Sequence, residues 1–223
     1  MDKSYWLVNA LPLIPLIAAV IYGFFRVFRS KTPLYFRIAV LAIFCALLEY
    51  VNNSLVLLCS ENGYVIRNLG GLAMGGFCAF MFAANYGQFD SIVDGGQKQY
   101  RHCRILAWIA PIVLLIPEVI SDIMMQETDI LYLVLCAVLD ASILPCSYFN
   151  LKVILMKDDG TGFIKGAKPI NVISLLYIVL ENASAYLLEG YLVTPMIVIY
   201  YITIATCIAG VFCVDWGRKQ WMK

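Results

Sequence analysis

Residues 38–58, IAVLAIFCALLEYVNNSLVLL, form the apolar stretch that decides the fold class of this chain. Apolar residues follow one another in this stretch without the strict alternation that a membrane β-barrel strand requires. At 1.5 Å per residue, a helix of this length crosses the hydrocarbon core of a bilayer, which is about 30 Å thick. The stretch therefore predicts a transmembrane α-helix.

Six further apolar stretches of similar length lie on either side of it. Hydrophobic residues make up 62% of the chain and charged residues 14%, whereas soluble domains have roughly 45–50% and about 25%. A soluble protein of this composition could not cover its surface with polar groups. We therefore predict an all-α, polytopic membrane protein in which residues 1–223 form a single seven-helix transmembrane domain. The predicted spans are residues 6–25, 38–58, 69–86, 105–123, 131–151, 170–188 and 193–214.

Basic residues indicate how the chain is oriented, because Lys and Arg near helix ends favour the cytoplasmic side. With seven crossings, every Lys and Arg other than Lys3 and Arg67 falls on the side that holds the C-terminus. The sequence thus predicts a multi-pass protein of the cell membrane with its N-terminus outside and its C-terminus in the cytoplasm. Residues 6–25 do not resemble a cleavable signal peptide, because their basic cluster follows the apolar run instead of preceding it.

Acidic residues inside the predicted spans carry the functional hypothesis. Glu49, Asp140 and Glu181 lie near the middle or in the outer half of the membrane, and no Lys, Arg or His lies at a comparable depth. A charged side chain at the bilayer centre costs roughly 2.5–3.5 kcal/mol on insertion scales, so each acid is expected to face the bundle interior or a water-filled cavity. Glu118 is a fourth acid, closer to the predicted outer boundary.

Amides and a hydroxyl accompany these acids on the same helices. Asn52 and Asn53 share a helical face with Glu49, and Ser184 follows Glu181 at the same spacing. One hypothesis is an outward-facing pocket for a cation or another small ligand, and the other is a set of protonated carboxyl groups that join helices by hydrogen bonds. We favour the pocket, and its predicted ligand-binding residues are Glu49, Asn52, Asn53, Asp140, Glu181, Asn182 and Ser184.

Three other segments lead to structural predictions. LGGLAMGGF (69–77) has the small-residue spacing that lets helices approach closely, which predicts packing within the bundle. NYGQFDSIVD (85–94) either binds an effector and relays a movement or is a solvated helix end, and we expect the solvated end. KDDGTGFIKGAKP (157–169) predicts an exposed turn because of its glycines and charges.

Several functional classes are disfavoured. His102 is the only histidine, and the chain contains no GxSxG, HExxH or phosphate-binding loop. We therefore predict that the protein is not an enzyme, that it holds no metal or cofactor, and that it has no nucleic-acid partner.

A weak internal similarity leaves a second function open. LEYVNN (48–53) in the second span resembles LENAS (180–184) in the sixth. If the first three and last three helices are parallel repeats around a single fourth helix, the 3+1+3 plan is that of some small transporters. A small solute or cation-coupled transporter is therefore the alternative function.

The segments KTPLYFR (31–37) and NYGQFDSIVD (85–94), together with the acidic and Asn-bearing second span, resemble membrane-embedded sensory regions of bacterial signalling proteins. These regions are seven-helix modules that precede diguanylate cyclase or histidine kinase domains. The resemblance implies a sensory or receptor-like module that binds a small ligand or cation. Because few residues follow the last span, the signal is expected to pass to a cytoplasmic partner, through a homodimer, or to a longer chain of which this is the membrane portion.

Overall fold

A computed structural model describes residues 10–28, 31–58, 63–124, 130–158, 160, 162–189 and 193–222. Within these ranges the chain forms seven helices of fifteen or more residues and no β-strand. Their bounds are α1 Leu13–Val27, α2 Leu34–Leu58, α3 Gly63–Asn85, α4 Ile109–Met124, α5 Ile130–Leu155, α6 Phe163–Glu189 and α7 Val193–Trp221. Each of the seven predicted stretches thus lies mainly in a helix where the structure describes it, with turns at residues 11–12 and 107–108.

Four of these helices contain a segment long and apolar enough to cross a membrane. The segments are Leu34–Leu55, Leu133–Leu155, Phe163–Ser184 and Ile197–Trp221, and the shorter helix Leu13–Val27 is apolar as well. Outward-facing residues of α4 such as Ile112, Val113 and Ile116 are exposed although they are apolar. A helical protein whose solvent is lipid has an apolar outer surface. The described part of the chain therefore has the architecture of a helical membrane protein.

The helix contacts in the first part of the chain resemble those in the last part. α2 lies closely against α3, and α6 lies in the same way against α7. α1 contacts α2 and α7, whereas α5 contacts α6 and α3. α4 packs mainly on α5 at the edge of the bundle.

The segment after α3 remains helical, and two of its residues, Phe89 and Asp94, are buried. α3 continues into a π-helix, Tyr86–Asp94, which ends at Gly95 with a left-handed φ of 47°. A turn and the short helix Arg101–Leu106 then lead to α4. Asp94 at the end of the π-helix is buried, so the predicted solvated helix end is wrong at this residue.

The predicted turn at 157–169 is shorter than expected. Gly160 and Gly162 have φ values of 86° and 72°, which glycine adopts without steric cost, and α6 begins immediately after them at Phe163. Phe163 is buried against Tyr35, Phe36 and Phe89. This aromatic contact accounts for a helix that begins before the apolar span predicted from residue 170.

The closest helix contact that glycine permits joins α6 to α7. A Cβ added to Gly166 would lie 2.7 Å from the carbonyl oxygen of Gly217, and a Cβ on Gly217 would meet the backbone of Gly166. In the small-residue segment 69–77 of α3, Gly76 lies against Cys45 of α2, which agrees with the predicted packing inside the bundle. A Cβ added to Gly71 in the same segment would meet no atom within 4 Å. Backbones therefore approach most tightly near the end of α7.

Candidate binding site

Glu49 of α2 and Glu181 of α6 come together in the bundle interior through crossed contacts with two tyrosines. The Tyr177 hydroxyl on α6 donates a hydrogen bond of 2.5 Å to Glu49 Oε2. The Tyr50 hydroxyl on α2 donates in the opposite direction, to Glu181 Oε1. Each helix thus supplies one carboxyl group and one hydroxyl group, and we name these four residues the acid–tyrosine cluster.

The sequence places these groups together by helix geometry. Tyr177 and Glu181 are four residues apart, so they lie on one face of α6, while Glu49 and Tyr50 are adjacent on α2. Both tyrosines are about 1% exposed, and a buried hydroxyl group requires a hydrogen-bond partner. The carboxyl groups provide that partner for both rings.

The cluster contains two acids and no base. Ion pairs between residues that the structure describes all involve Asp90, Asp94 or Asp215. Glu49 and Glu181 are close enough to interact electrostatically with each other. Because two negative charges this close are strongly unfavourable in a low-dielectric interior, a proton or a bound cation must compensate for them.

The other predicted ligand-binding residues take different positions. Asn52 and Asn53 are half-buried, and both lie beside the position that a Cβ of Gly70 on α3 would occupy. Asp140 is half-buried on α5. The structure thus brings together Glu49 and Glu181, two of the three principal acids.

Two further predicted residues lie on α6 next to the cluster. Asn182 is buried and Ser184 is half-buried. Glu118 lies within α4, and its side chain is outside the described residues.

A second buried polar group lies on the side of the cluster where α6 begins. Asn85 Nδ2 of α3 donates to Asn150 Oδ1 of α5 at 2.8 Å and to Asn171 Oδ1 of α6 at 2.7 Å. Asn171 Nδ2 donates to the Tyr35 hydroxyl of α2 at 2.8 Å, and Asn150 Nδ2 donates to Ser174 Oγ at 2.8 Å. All three asparagines are fully buried. This asparagine network ties together the four helices α2, α3, α5 and α6.

A buried ion cluster follows at the end of the π-helix. Lys152 of α5 is fully buried and pairs with Asp90 and with Asp94, whose Oδ2 lies 2.5 Å from Lys152 Nζ. Arg104 pairs with Asp94 Oδ1 at 2.5 Å. Lys152 directly follows the fifth predicted span, where a lysine is expected to be solvated, so the sequence does not predict its burial.

The tyrosines of the acid–tyrosine cluster were also missed. A usable signal was present, since Tyr177 precedes Glu181 by one helical turn within an apolar span. Among the searched residues, no group of three or more His, Cys, Asp or Glu side chains is arranged to hold a metal ion.

Comparisons of this chain with protein-family models, with curated proteins and with solved structures find no match.

Proposed function

We propose that the protein is a seven-span membrane protein with its N-terminus outside and its C-terminus in the cytoplasm. The seven helices and the one-sided distribution of Lys and Arg support this topology. In this orientation the C-terminal halves of α2 and α6 lie toward the outside. These halves carry Glu49 and Glu181. The Asp90–Lys152–Asp94 pairs lie toward the cytoplasm.

Within this topology, we propose that the protein is a sensory or receptor-like module that binds a small cation or amine at the acid–tyrosine cluster. The carrying observation is the meeting of Glu49 and Glu181 in the interior, each with a tyrosine as its hydrogen-bond partner and neither with a basic side chain. A ligand with one positive charge compensates for charge that these two carboxyl groups cannot both hold unaided. The four oxygen-bearing side chains also offer the hard ligands that alkali cations and ammonium groups prefer.

The same helix that carries Glu181 supplies a route by which binding is felt at the cytoplasmic side. Tyr177, Ser174 and Asn171 precede Glu181 along one face of α6, over about 15 Å at 1.5 Å per residue. Ser174 and Asn171 belong to the asparagine network, which contacts α3 just before the π-helix that holds Asp90 and Asp94. A movement of α6 on ligand binding would therefore be transmitted to the segment that faces a cytoplasmic partner.

Equilibrium binding to the purified protein tests this proposal. Sodium, potassium and methylammonium chloride are titrated at constant ionic strength, and the heat of binding is measured. We expect saturable binding of at least one of the three probes, and a loss of at least tenfold in affinity for Glu49→Gln and for Glu181→Gln. Asp158→Asn, an exposed acid between α5 and α6, serves as the matched control and should bind as the wild type does. Absence of binding by all three probes, or equal affinity in the glutamine variants, would contradict the proposal.

A small cation-coupled transporter is a second candidate, and the helix packing favours it. α1 relates to α2 and α7 as α5 relates to α6 and α3, and the close pairs α2–α3 and α6–α7 correspond. This correspondence is expected of parallel 3+1+3 repeats, with the two acids on equivalent helices. Uptake of radioactive sodium or methylammonium into proteoliposomes separates the two candidates, because a sensor binds these probes without carrying them across.

A further inference from the structure

A cluster of basic residues at the C-terminal end of α7 has no role in the acid–tyrosine cluster. Asp215 Oδ1 lies 2.8 Å from an Arg218 nitrogen and 3.6 Å from Arg26 Nε of α1, and its Oδ2 lies 2.7 Å from Lys219 Nζ. Tyr22 also donates to Oδ2 at 3.3 Å. One carboxylate is therefore shared by three cations, which leaves two positive charges in excess.

Two buried donors in this cluster make no hydrogen bond to any residue that the structure describes. They are the Nε–H groups of Arg26 and Arg218; Arg26 Nε has the ion-pair contact with Asp215 at 3.6 Å, and Arg218 as a residue is only 8% exposed. Both Nε–H groups are shielded from water, although the Arg26 and Lys219 side chains as a whole are 35% and 50% exposed. Because an unsatisfied buried donor is costly, an additional oxygen-rich anion that accepts these hydrogen bonds would stabilise the cluster.

The surface beside the cluster indicates what carries that anion. Phe212 and Tyr22 form a ring contact at 5.8 Å directly before Arg26 and Asp215 on their helices. Phe212 is 55% exposed and Phe25 is 75% exposed, and Trp216 is also exposed at this end of α7. Exposed tryptophan is typical of the membrane interface, so in the proposed membrane orientation the basic residues are expected at headgroup depth and the phenylalanines at acyl-chain depth.

We propose that α1 and α7 form a binding site for an anionic phospholipid of the cytoplasmic leaflet. The lipid phosphate accepts hydrogen bonds from Arg26, Arg218 and Lys219, and an acyl chain lies along Tyr22 and Phe212. Arginine is suited to phosphate because it offers several donors in a planar arrangement, and basic clusters between helices on the cytoplasmic side bind such headgroups. The site rests on the proposed membrane orientation and is independent of ligand binding at Glu49 and Glu181.

Lipid titration of the purified full-length protein tests the site. Detergent micelles are doped with phosphatidylglycerol, with phosphatidylcholine, or with inorganic phosphate alone, and the thermal midpoint and the lipid retained in native mass spectra are measured. We expect phosphatidylglycerol to raise the midpoint and to be retained, while the other two additives have little effect. Arg26→Gln and Lys219→Gln should each weaken the apparent phosphatidylglycerol affinity about fivefold, which corresponds to about 1 kcal/mol per basic residue near the surface.

Arg101→Gln is the matched control, since Arg101 is an exposed basic residue on the same side, and it should bind phosphatidylglycerol as the wild type does. Lys219 is half exposed, so Lys219→Gln provides a folded variant even if Arg26→Gln does not fold. Equal stabilisation by phosphatidylcholine or by free phosphate would overturn the proposal. Unchanged affinity in Lys219→Gln, or an equal loss in Arg101→Gln, would also overturn it.

Discussion

At the residue scale, each of the two interior carboxyl groups accepts a hydrogen bond from a buried tyrosine hydroxyl. Replacing Tyr177 with Phe removes the donor to Glu49 and leaves the ring in place. A buried acceptor without its partner costs about 1–3 kcal/mol, so we expect the free energy of unfolding to fall by that amount. Denaturation in mixed micelles measures the change.

Tyr86→Phe is the control for this substitution. Tyr86 is exposed and its ring contacts Phe82 and Phe149, which phenylalanine preserves. Its variant should unfold with a free energy within about 0.5 kcal/mol of the wild type. A loss of stability that is the same in both variants would show that the Tyr177 hydroxyl does not support Glu49.

Lys152 provides a second residue-scale prediction. Its ammonium group is fully buried between Asp90 and Asp94, and removing one partner of a buried ion pair costs about 3–5 kcal/mol. Lys152→Met should therefore lower the free energy of unfolding by that amount. Adding Asp90→Asn to Lys152→Met should recover part of the loss, because Asp90 loses its ion-pair partner in Lys152→Met whereas Asp94 keeps Arg104; a double variant less stable than Lys152→Met would contradict this account.

The sequence allowed part of this chemistry to be predicted. Glu49 and Glu181 were expected in one site because buried acids are costly in lipid, and the structure brings them together. The hydrogen bond of Tyr177 and the burial of Lys152 were not predicted. An aromatic residue in an apolar span is usually a packing residue, and a lysine beyond the end of a span is usually solvated. Whether such a residue is buried depends on neighbours that are distant in sequence.

Backbone contact between α6 and α7 is the most restrictive feature at the element scale. A Cβ on Gly166 would lie 2.7 Å from the carbonyl oxygen of Gly217, and backbone cannot move aside as a side chain can. Gly166→Ala should therefore destabilise the protein by about 1–3 kcal/mol despite the better helix propensity of alanine. Thermal unfolding in detergent measures the change.

Gly71→Ala on α3 is the matched control. A Cβ there meets no atom within 4 Å, so this variant should be as stable as the wild type or more stable by up to about 1 kcal/mol. If Gly71→Ala were the more damaging of the two, the close approach of α6 and α7 would be refuted.

The positions of the helices, like the site, were predictable in part. Each of the seven apolar stretches lies mainly in a helix where described, because the bilayer sets both the length and the composition of a span. The start of α6 was misplaced since Phe163 packs on an aromatic cluster that no local pattern reveals. The end of α7 was misplaced because the helix continues through charged residues to Trp221.

Topology is the prediction that belongs to the whole molecule. A fluorescent protein fused after residue 223 should be fluorescent, because the C-terminus is proposed to lie in the cytoplasm. Alkaline phosphatase fused after residue 127, in the acidic connection between α4 and α5, should be active because that connection is proposed to lie outside. The same phosphatase fused after residue 158 should be inactive, and activity there would contradict the seven-span topology.

Coupling between Glu49 and Glu181 in ligand binding tests the central claim most directly. Calorimetric affinities for sodium, potassium and methylammonium are compared for Glu49→Gln, Glu181→Gln and the double variant. If both carboxyl groups belong to one site, each single substitution removes most of the binding and the double variant is little worse than either, so the effects are strongly non-additive. Additive effects, or binding that survives in the double variant, would show that the two acids do not form a common binding site.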